Sequence, residues 1–172
     1  MKSFHEKISQ KFSKYLSETS SDTVSKKDFS QDINIGEDGE GFIKHFLIDK
    51  GYNFLSENKD YKYDLLMSFN GREITYEIKT DVYVSPKKDT GNLVVEFESR
   101  GKPSGISVTE ADYYVYYMPK LKEVWNIKMD ELKSLIDDNN FKEVNGGDVG
   151  SNTKMYLIRR SVYKNHFKVY NT

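Results

Sequence analysis

The stretch that decides the fold runs from Tyr63 to Thr80 and reads YDLLMSFNGREITYEIKT. Two strand-like segments, the second with Ile74, Tyr76 and Ile78 alternating with polar residues, flank Asn70-Gly71, a dipeptide that favours the positive φ angles of a two-residue hairpin turn. The sequence therefore predicts two antiparallel strands, Tyr63–Phe69 and Glu73–Thr80. Side chains alternate along a strand, so Glu77 and Lys79 project from one face, and pairing about the turn can bring Asp64 close to them. We expect two carboxylates and one ammonium on a single sheet face.

Helix and strand patterns surround this hairpin. The segment GEDGEGFIKHFLIDKG, from Gly36 to Gly51, has acidic residues in its first turns and an apolar stripe, which predicts a helix that ends at Gly51. A helical turn is predicted at Thr109–Asp112, a helix at Met129–Ile136 and a loop at Asn145–Asp148. Further strands are predicted at Tyr52–Leu55, Leu93–Ser99, Tyr113–Met118 and Glu123–Lys128, with the last strand of the chain at Met155–Ile158. This order predicts an α/β fold with one mixed β-sheet flanked by helices.

The first part of the chain differs in character from the rest. Residues 1–30 are polar and rich in Ser, Thr and Lys, but Ser3–Leu16 has apolar residues at helical spacing. We predict an N-terminal arm with a short helix, followed by a single domain over residues 31–172. Packing against the domain is favoured for the arm over contact with DNA, and either role could also serve a dimer.

Composition narrows the possible chemistry. The 172 residues include no cysteine, which excludes disulfides, zinc–thiolate sites and cysteine nucleophiles. No apolar run is long enough to cross a bilayer, and the N-terminus lacks the apolar core of a signal peptide, so we expect a soluble cytoplasmic protein without a membrane partner.

The formal net charge is only −1, so a polyanion would have to bind to a localised basic surface. The first candidate is the acid-free tail Ser151–Thr172, in which Arg159 and Arg160 stand side by side. The second is the loop that carries Arg100, Lys102 and Ser104, whose cations, hydroxyl and glycine-permitted N–H groups suit phosphate oxygens. The alternative interpretations are a chance charge asymmetry and an ordinary glycine–proline turn.

The acidic pair on the hairpin is suited to hold a hard divalent cation. Magnesium binds through one or two carboxylates together with water and phosphate oxygens, whereas zinc is disfavoured by the absence of cysteine. Hydrolysis of a phosphodiester needs charge neutralisation and an activated water, and a lysine beside the metal can orient that water. The alternative is a solvated cluster of surface charges.

Tyr63-Asp64, followed by Glu77-Ile78-Lys79 on the paired strand, resembles the PD-(D/E)XK nuclease superfamily, which includes restriction endonucleases, Holliday-junction resolvases and phage nucleases. The resemblance covers roughly residues 36–118, and Tyr63 stands where the motif has proline. It implies a restriction-endonuclease-like core in which Asp64, Glu77 and the main-chain carbonyl of Ile78 bind Mg²⁺, with Mn²⁺ as a substitute. Lys79 would position the water, and Glu40 on the preceding helix would assist catalysis and the metal. Glu37 and Glu98 are rival candidates for that assisting role.

By this resemblance the chain is expected to be a Mg²⁺-dependent endodeoxyribonuclease, a homodimer that selects branched or junction DNA, in the host cytoplasm if it is phage-encoded. The alternatives are a sequence-specific restriction-like endonuclease, an exonuclease, or a DNA-binding module without activity. The tyrosines of Tyr113–Met118 could stack on bases, but their β-like spacing favours core packing. Structural roles are also favoured for the three histidines.

Overall fold

The computed structural model describes residues 29–58, 62–147 and 150–172, with side chains from residue 36 onward. The predicted arm helix Ser3–Leu16 lies outside these residues. The chain forms three α-helices, α1 (Phe29–Asp49), α2 (Met129–Asp138) and α3 (Arg160–Tyr163), within the described residues. The strands are β1 (Asn53–Glu57), β2 (Leu65–Phe69), β3 (Arg72–Thr80), β4 (Asn92–Ser99), β5 (Lys102–Pro103), β6 (Tyr113–Met118), β7 (Glu123–Lys128), β8 (Lys142–Gly146), β9 (Thr153–Arg159) and β10 (Lys168–Asn171).

The central hairpin has the two strands and the turn that the sequence predicts. Strands β2 and β3 pair antiparallel in a register that joins Leu65 to Tyr76 and Phe69 to Arg72. Asn70 and Gly71 have φ angles of 51° and 75°, as a turn with two left-handed residues requires. The predicted hairpin is confirmed, but β2 begins at Leu65, so Tyr63 and Asp64 lie just before the strand rather than within it.

The strands form two sheets, not the single sheet that the sequence predicts. A mixed six-stranded sheet has the order β1-β2-β3-β6-β7-β10, and its β3–β6 pair is parallel. A four-stranded antiparallel sheet has the order β5-β4-β9-β8. The α/β class with a mixed sheet is therefore confirmed. The predicted strand Leu93–Ser99 does not join that sheet, because β4 pairs with β5 and β9 instead.

Each face of the six-stranded sheet packs against a different layer. On one face α1 inserts Phe42, Ile43 and Leu47 against Leu65 and Tyr76. On the other face the small sheet and α2 form the second core, with Leu93, Val95, Leu132, Ile158, Tyr114, Tyr116 and Trp125. Consequently Tyr76 and Glu77, which are neighbours on β3, face different layers.

Helix α1 approaches the sheet very closely at Gly39. A Cβ at this position would lie 1.8 Å from Oγ1 of Thr80, at the end of β3. The helix begins at Phe29, earlier than the predicted start near Gly36, and ends where Gly51, with a φ of 89°, donates its N–H to Ile48. A glycine beside Glu40 thus brings the carboxylate-bearing turn of α1 onto β3.

Three local predictions are wrong. Thr109–Asp112 does not form a helical turn; a 3-10 turn lies just before it, at Gly105–Ser107, and the Thr109 hydroxyl is used elsewhere. Asn145 and Gly146 end strand β8 rather than beginning a loop. The chain also continues after β9 through α3 into an additional edge strand, β10. No helix in the described part of the chain is long and apolar enough to span a membrane.

Candidate active site

Asp64 and Glu77 meet across the hairpin. Leu65 pairs with Tyr76, and one step further the N–H of Asp64 donates to the carbonyl of Tyr76 at 2.8 Å. The strand pairing ends there, because Asp64 lies in the bend just before β2, and its side chain is joined to β3 instead. Oδ2 of Asp64 also accepts the N–H of Ile78 at 2.6 Å. The charge of Asp64 also raises the pKa of Glu77, so the two carboxylates lie close together, with Asp64 held by the N–H of Ile78 rather than by strand pairing.

Lys79 follows Glu77 on the same face of β3. Its side chain is exposed, and it stands in register with Tyr116 of the parallel strand β6. The charge of Lys79 lowers the pKa of Glu77, although other effects on that carboxyl are larger. The segment Glu77-Ile78-Lys79 thus places a carboxylate and an ammonium side by side along one strand, with the ammonium exposed to solvent.

Burial controls the acidity of Glu77. Desolvation and then the charge of Asp64 raise the pKa of Glu77 to about 7, and Glu40 adds to this effect. Burial also raises the pKa of Asp64, against the stabilising N–H of Ile78. These carboxylates repel one another inside a partly desolvated site.

Glu40 reaches the same site from helix α1. Desolvation and then the charge of Asp64 raise the pKa of Glu40 to about 7, followed by smaller contributions from Glu57 and Glu37. Glu37 is exposed, one turn earlier on the helix. The candidate acid Glu40 is thus electrostatically coupled to both hairpin carboxylates, whereas Glu37 contributes only a minor field.

Thr109 was not anticipated as a site residue. Its side chain is 4% exposed, and its hydroxyl lies 2.8 Å from Oε2 of Glu77 and 3.0 Å from the carbonyl oxygen of Lys62. The N–H of Glu110 also donates to that carbonyl, at 2.8 Å. Thr109 therefore holds Glu77 and ties it to the segment that leads into Asp64. In the sequence Thr109 lies far from the hairpin, and no local pattern links it to Glu77.

The residues present fit a magnesium site of the open kind. Across residues 29–58, 62–147 and 150–172, no three Asp, Glu or His side chains are arranged to hold a metal by themselves. Magnesium does not need such a cage, because one or two carboxylates suffice when water and phosphate complete the shell. Thr109 and the Ile78 N–H engage one oxygen of Glu77 and one of Asp64, so each carboxylate has a second oxygen outside these bonds.

Glu98, a rival candidate for the metal, is directed elsewhere. Its Oε1 lies 2.8 Å from Nζ of Lys154, within the four-stranded sheet. This ion pair gives Glu98 a local partner of opposite charge.

The five residues predicted to bind DNA lie in different environments. Arg100, Lys102 and Arg159 are exposed, whereas the Ser104 hydroxyl donates to Oε1 of Glu96 at 2.7 Å. Arg160 is only 8% exposed, pairs with Asp89, and lies 3.6 Å from Oε2 of Glu123. The placement of Arg160 contradicts a direct DNA contact, because its guanidinium is committed inside the fold.

The tyrosines of β6 are core residues, as their spacing indicates. Tyr114, Tyr116 and Tyr117 are 5%, 1% and 4% exposed, and Tyr117 stacks on Phe42 with ring centroids 4.3 Å apart. They build the platform beneath the site and are not available to stack on bases.

Comparison with known proteins gives little further guidance. No protein-family profile matches the chain, and no curated protein matches it. A solved structure of a bacterial homing endonuclease is similar over 72% of this chain and 76% of that chain, with 17% identity and a TM-score of 0.47. So partial a likeness assigns neither a family nor an activity to this chain.

Proposed function

We propose that this protein is a metal-dependent DNA endonuclease whose centre consists of Asp64, Glu77 and Lys79, with Glu40 in support. The observation that carries the proposal is the hydrogen bond from the N–H of Ile78 to Oδ2 of Asp64, which holds the Asp64 carboxylate against the Glu77-Ile78-Lys79 segment of β3. A cation shared by two carboxylates and a neighbouring ammonium suit the hydrolysis of a phosphodiester.

The roles follow from the environment of each group. Asp64 and Glu77 would hold Mg²⁺ or Mn²⁺ through the oxygens that Ile78 and Thr109 leave outside their hydrogen bonds, and the Ile78 carbonyl is a further candidate ligand. The bound cation would neutralise charge on the phosphoryl oxygens and acidify a water. The exposed ammonium of Lys79 would orient the attacking water, and Glu40 would hold a water or the cation from the helix side.

The buried carboxylates support a cation in a second way. Desolvation and mutual repulsion raise the pKa of Glu40 and of Glu77 to about 7. A divalent cation would offset that repulsion, because an opposite charge favours the ionised form. A plain surface cluster of charges would not be desolvated in this way.

The preferred substrate in this proposal is branched or junction DNA, cut by a homodimer. The competing enzymatic reading is a sequence-specific restriction-like endonuclease or an exonuclease. A panel of supercoiled, linear, single-stranded and four-way junction DNA, with Mg²⁺, Mn²⁺ or EDTA, separates them. Cutting of junction DNA alone supports the junction-selective enzyme. Discrete bands support the sequence-specific endonuclease, and loss of DNA that requires free ends supports the exonuclease.

Lys79→Ala tests the site itself. We expect it to bind DNA like the parent protein but to nick it at least about a hundredfold more slowly, because an activating group contributes about 10² or more. Lys133→Ala, an exposed lysine on α2, is the matched control and should nick normally. Equal nicking by the Lys79→Ala and parent proteins would refute the assignment. DNA binding by the parent protein without metal-dependent nicking would favour the inactive binding module.

A further inference from the structure

The C-terminal ends of the parallel strands β3 and β6 carry two loops. After β3, Asp81 donates its N–H to the carbonyl of Tyr117 on β6 at 2.8 Å, which joins the two strand ends. The first loop then runs to β4 and contains Lys88, whose N–H donates to Ser85 at 2.9 Å. The second is the turn between β6 and β7, which contains Lys120.

The acidic side chains of this region are used inside the fold. Oδ1 of Asp81 accepts the N–H groups of Tyr83 and Val84, at 2.9 and 3.1 Å, and its Oδ2 accepts the hydroxyl of Tyr116 at 2.6 Å. Asp89 and Glu123 both face the buried guanidinium of Arg160. These three carboxylates are therefore engaged by donors inside the fold.

Lys88 and Lys120 form no ion pair with these three acids. None of the ion pairs formed within residues 29–58, 62–147 and 150–172 includes Lys88 or Lys120. The hydrogen bond between Asp81 and Tyr117 brings the loops of Lys88 and Lys120 together, and burial and then the charge of Lys88 lower the pKa of Lys120, while Asp81 raises it. Two neighbouring cations without a paired acid form a local positive surface on a chain whose net charge is −1.

The two lysines lie beyond the candidate active site, in the direction in which β3 runs. Glu77, Lys79 and Asp81 occupy alternate positions of the same chain segment, so their side chains share one side. At about 3.3 Å per residue, Asp81 lies about 13 Å beyond Glu77. That distance is less than half a turn of duplex DNA, which advances about 34 Å per turn.

We propose that Lys88 and Lys120 form a phosphate-binding surface that receives the DNA backbone beside the phosphodiester to be cut. This inference rests on the proposed nuclease function for its substrate. Its partner is the sugar–phosphate backbone, which the ammonium groups bind without reading bases. The internal pairing of Asp89 and Glu123 with Arg160 keeps the lysines available for that contact.

The test is the salt dependence of DNA binding. Binding of the full chain to duplex and four-way junction DNA is measured by fluorescence anisotropy in EDTA, between about 50 and 200 mM salt. Each phosphate contact adds about 0.9 to the slope of log K against log salt. Lys88→Gln/Lys120→Gln is therefore expected to flatten the slope by about 2 and to weaken binding at least about tenfold.

Two variants serve as controls. Lys128→Gln/Lys133→Gln removes the same charge at the opposite end of the sheet, beside Arg72 and Tyr113, and should change the slope far less. Lys88→Arg/Lys120→Arg keeps both charges and should retain the slope. Circular dichroism confirms that each variant is folded.

The outcomes separate this inference from the proposed activity. If the parent protein nicks DNA but the two glutamine double variants have equal slopes, the phosphate surface is wrong and the nuclease proposal stands. If the parent protein does not nick DNA but Lys88→Gln/Lys120→Gln alone flattens the slope, the surface stands and the activity is wrong. A parent protein that does not bind DNA refutes both.

Discussion

The hydroxyl of Thr109 lies 2.8 Å from Oε2 of Glu77 and joins the loop before β6 to the acidic strand β3. The same hydroxyl lies 3.0 Å from the carbonyl oxygen of Lys62, two residues before Asp64. A hydroxyl has one proton, so it can donate to only one of these acceptors at a time. An ionised Glu77 is the stronger acceptor, because charge-assisted hydrogen bonds are the stronger ones. Thr109 therefore positions Glu77 most firmly in the charged form that binds a cation.

Thr109→Val should impair the proposed reaction without removing a ligand. Valine keeps the shape of the side chain but cannot donate, and groups that orient metal ligands typically contribute 10- to 100-fold to metal affinity or activity. We expect nicking to fall within about that range, with a higher Mg²⁺ concentration needed for half-maximal rate. A Mg²⁺ titration of nicking on supercoiled plasmid measures both quantities.

Thr109→Ser provides the rescue. Serine keeps the donor, so its Mg²⁺ dependence should resemble that of the parent protein even if its stability is lower. If the valine and serine variants show the same metal dependence, Thr109 contributes through packing alone.

The metal-free protein should lose stability as pH rises from about 4.5 to about 7. Burial and then Asp64 raise the pKa of Glu77 from 4.5 to about 7, so the folded state binds more protons than the unfolded state across this window. The direction is opposite to that of a salt-bridged carboxylate, whose stabilisation grows as pH rises. Above about pH 7 the destabilisation is complete, because the carboxylate is then charged in both states.

Glu77→Gln removes this destabilisation. We expect the variant to be more stable than the parent protein by about 1–3 kcal/mol near pH 8 in EDTA, and by much less near pH 5. Urea unfolding at both values tests this, with Glu73→Gln, an exposed position on the same strand, as control. If Glu77→Gln raises the stability equally near pH 5 and near pH 8, burial does not raise the pKa of Glu77.

The local part of the site could be predicted from the sequence because its determinants are local. Asn70-Gly71 defines the turn, and the turn defines the register as far as Leu65 and Tyr76, which brings Asp64 and Glu77 to the same end of the hairpin. Gly51 likewise ends helix α1 through a backbone conformation that glycine adopts at low cost. Each of these relations depends on residues within one hairpin or at one helix end.

The rest depended on contacts between distant segments. The alternation within β4 predicts a strand but not its partner, and its pairing with β9 is made with residues about sixty positions later, as Leu93 and Ile158 show. Thr109 reaches Glu77 from a loop of no distinctive composition. Arg160 could not be distinguished from its exposed neighbour Arg159, because adjacent residues in a basic run look alike until burial separates them.

Gly39→Ala should destabilise the fold and disturb the helix side of the site. The new Cβ would lie 1.8 Å from Oγ1 and 2.8 Å from Cβ of Thr80, so helix and strand would have to separate. Overpacking of this kind typically costs about 1–3 kcal/mol. A lower urea midpoint together with slower nicking would reflect displacement of Glu40.

Gly36→Ala is the matched control on the same helix. A Cβ at Gly36 meets nothing within 4 Å, and alanine favours a helix over glycine by about 1 kcal/mol. The control should therefore be neutral or stabilising. If both alanine variants behave alike, the close approach at Gly39 does not constrain the packing of α1.

The adjacent arginines of the C-terminal region should give opposite phenotypes. Arg160→Met removes a buried guanidinium from Asp89 and Glu123, whose side chains are 30% and 29% exposed, so the cost should be below the ~3–5 kcal/mol that is typical of a fully buried pair. Arg159→Gln changes an exposed side chain, so its urea midpoint should match that of the parent protein. Its DNA binding should weaken only if Arg159 contacts DNA.

Both variants are compared by urea unfolding and by DNA binding under conditions in which each is folded. If Arg160→Met unfolds like the parent protein but binds DNA more weakly, then the guanidinium serves DNA directly and the internal pairing described here is wrong. If it unfolds earlier but binds DNA like the parent protein while folded, Arg160 is a structural residue and not a DNA contact.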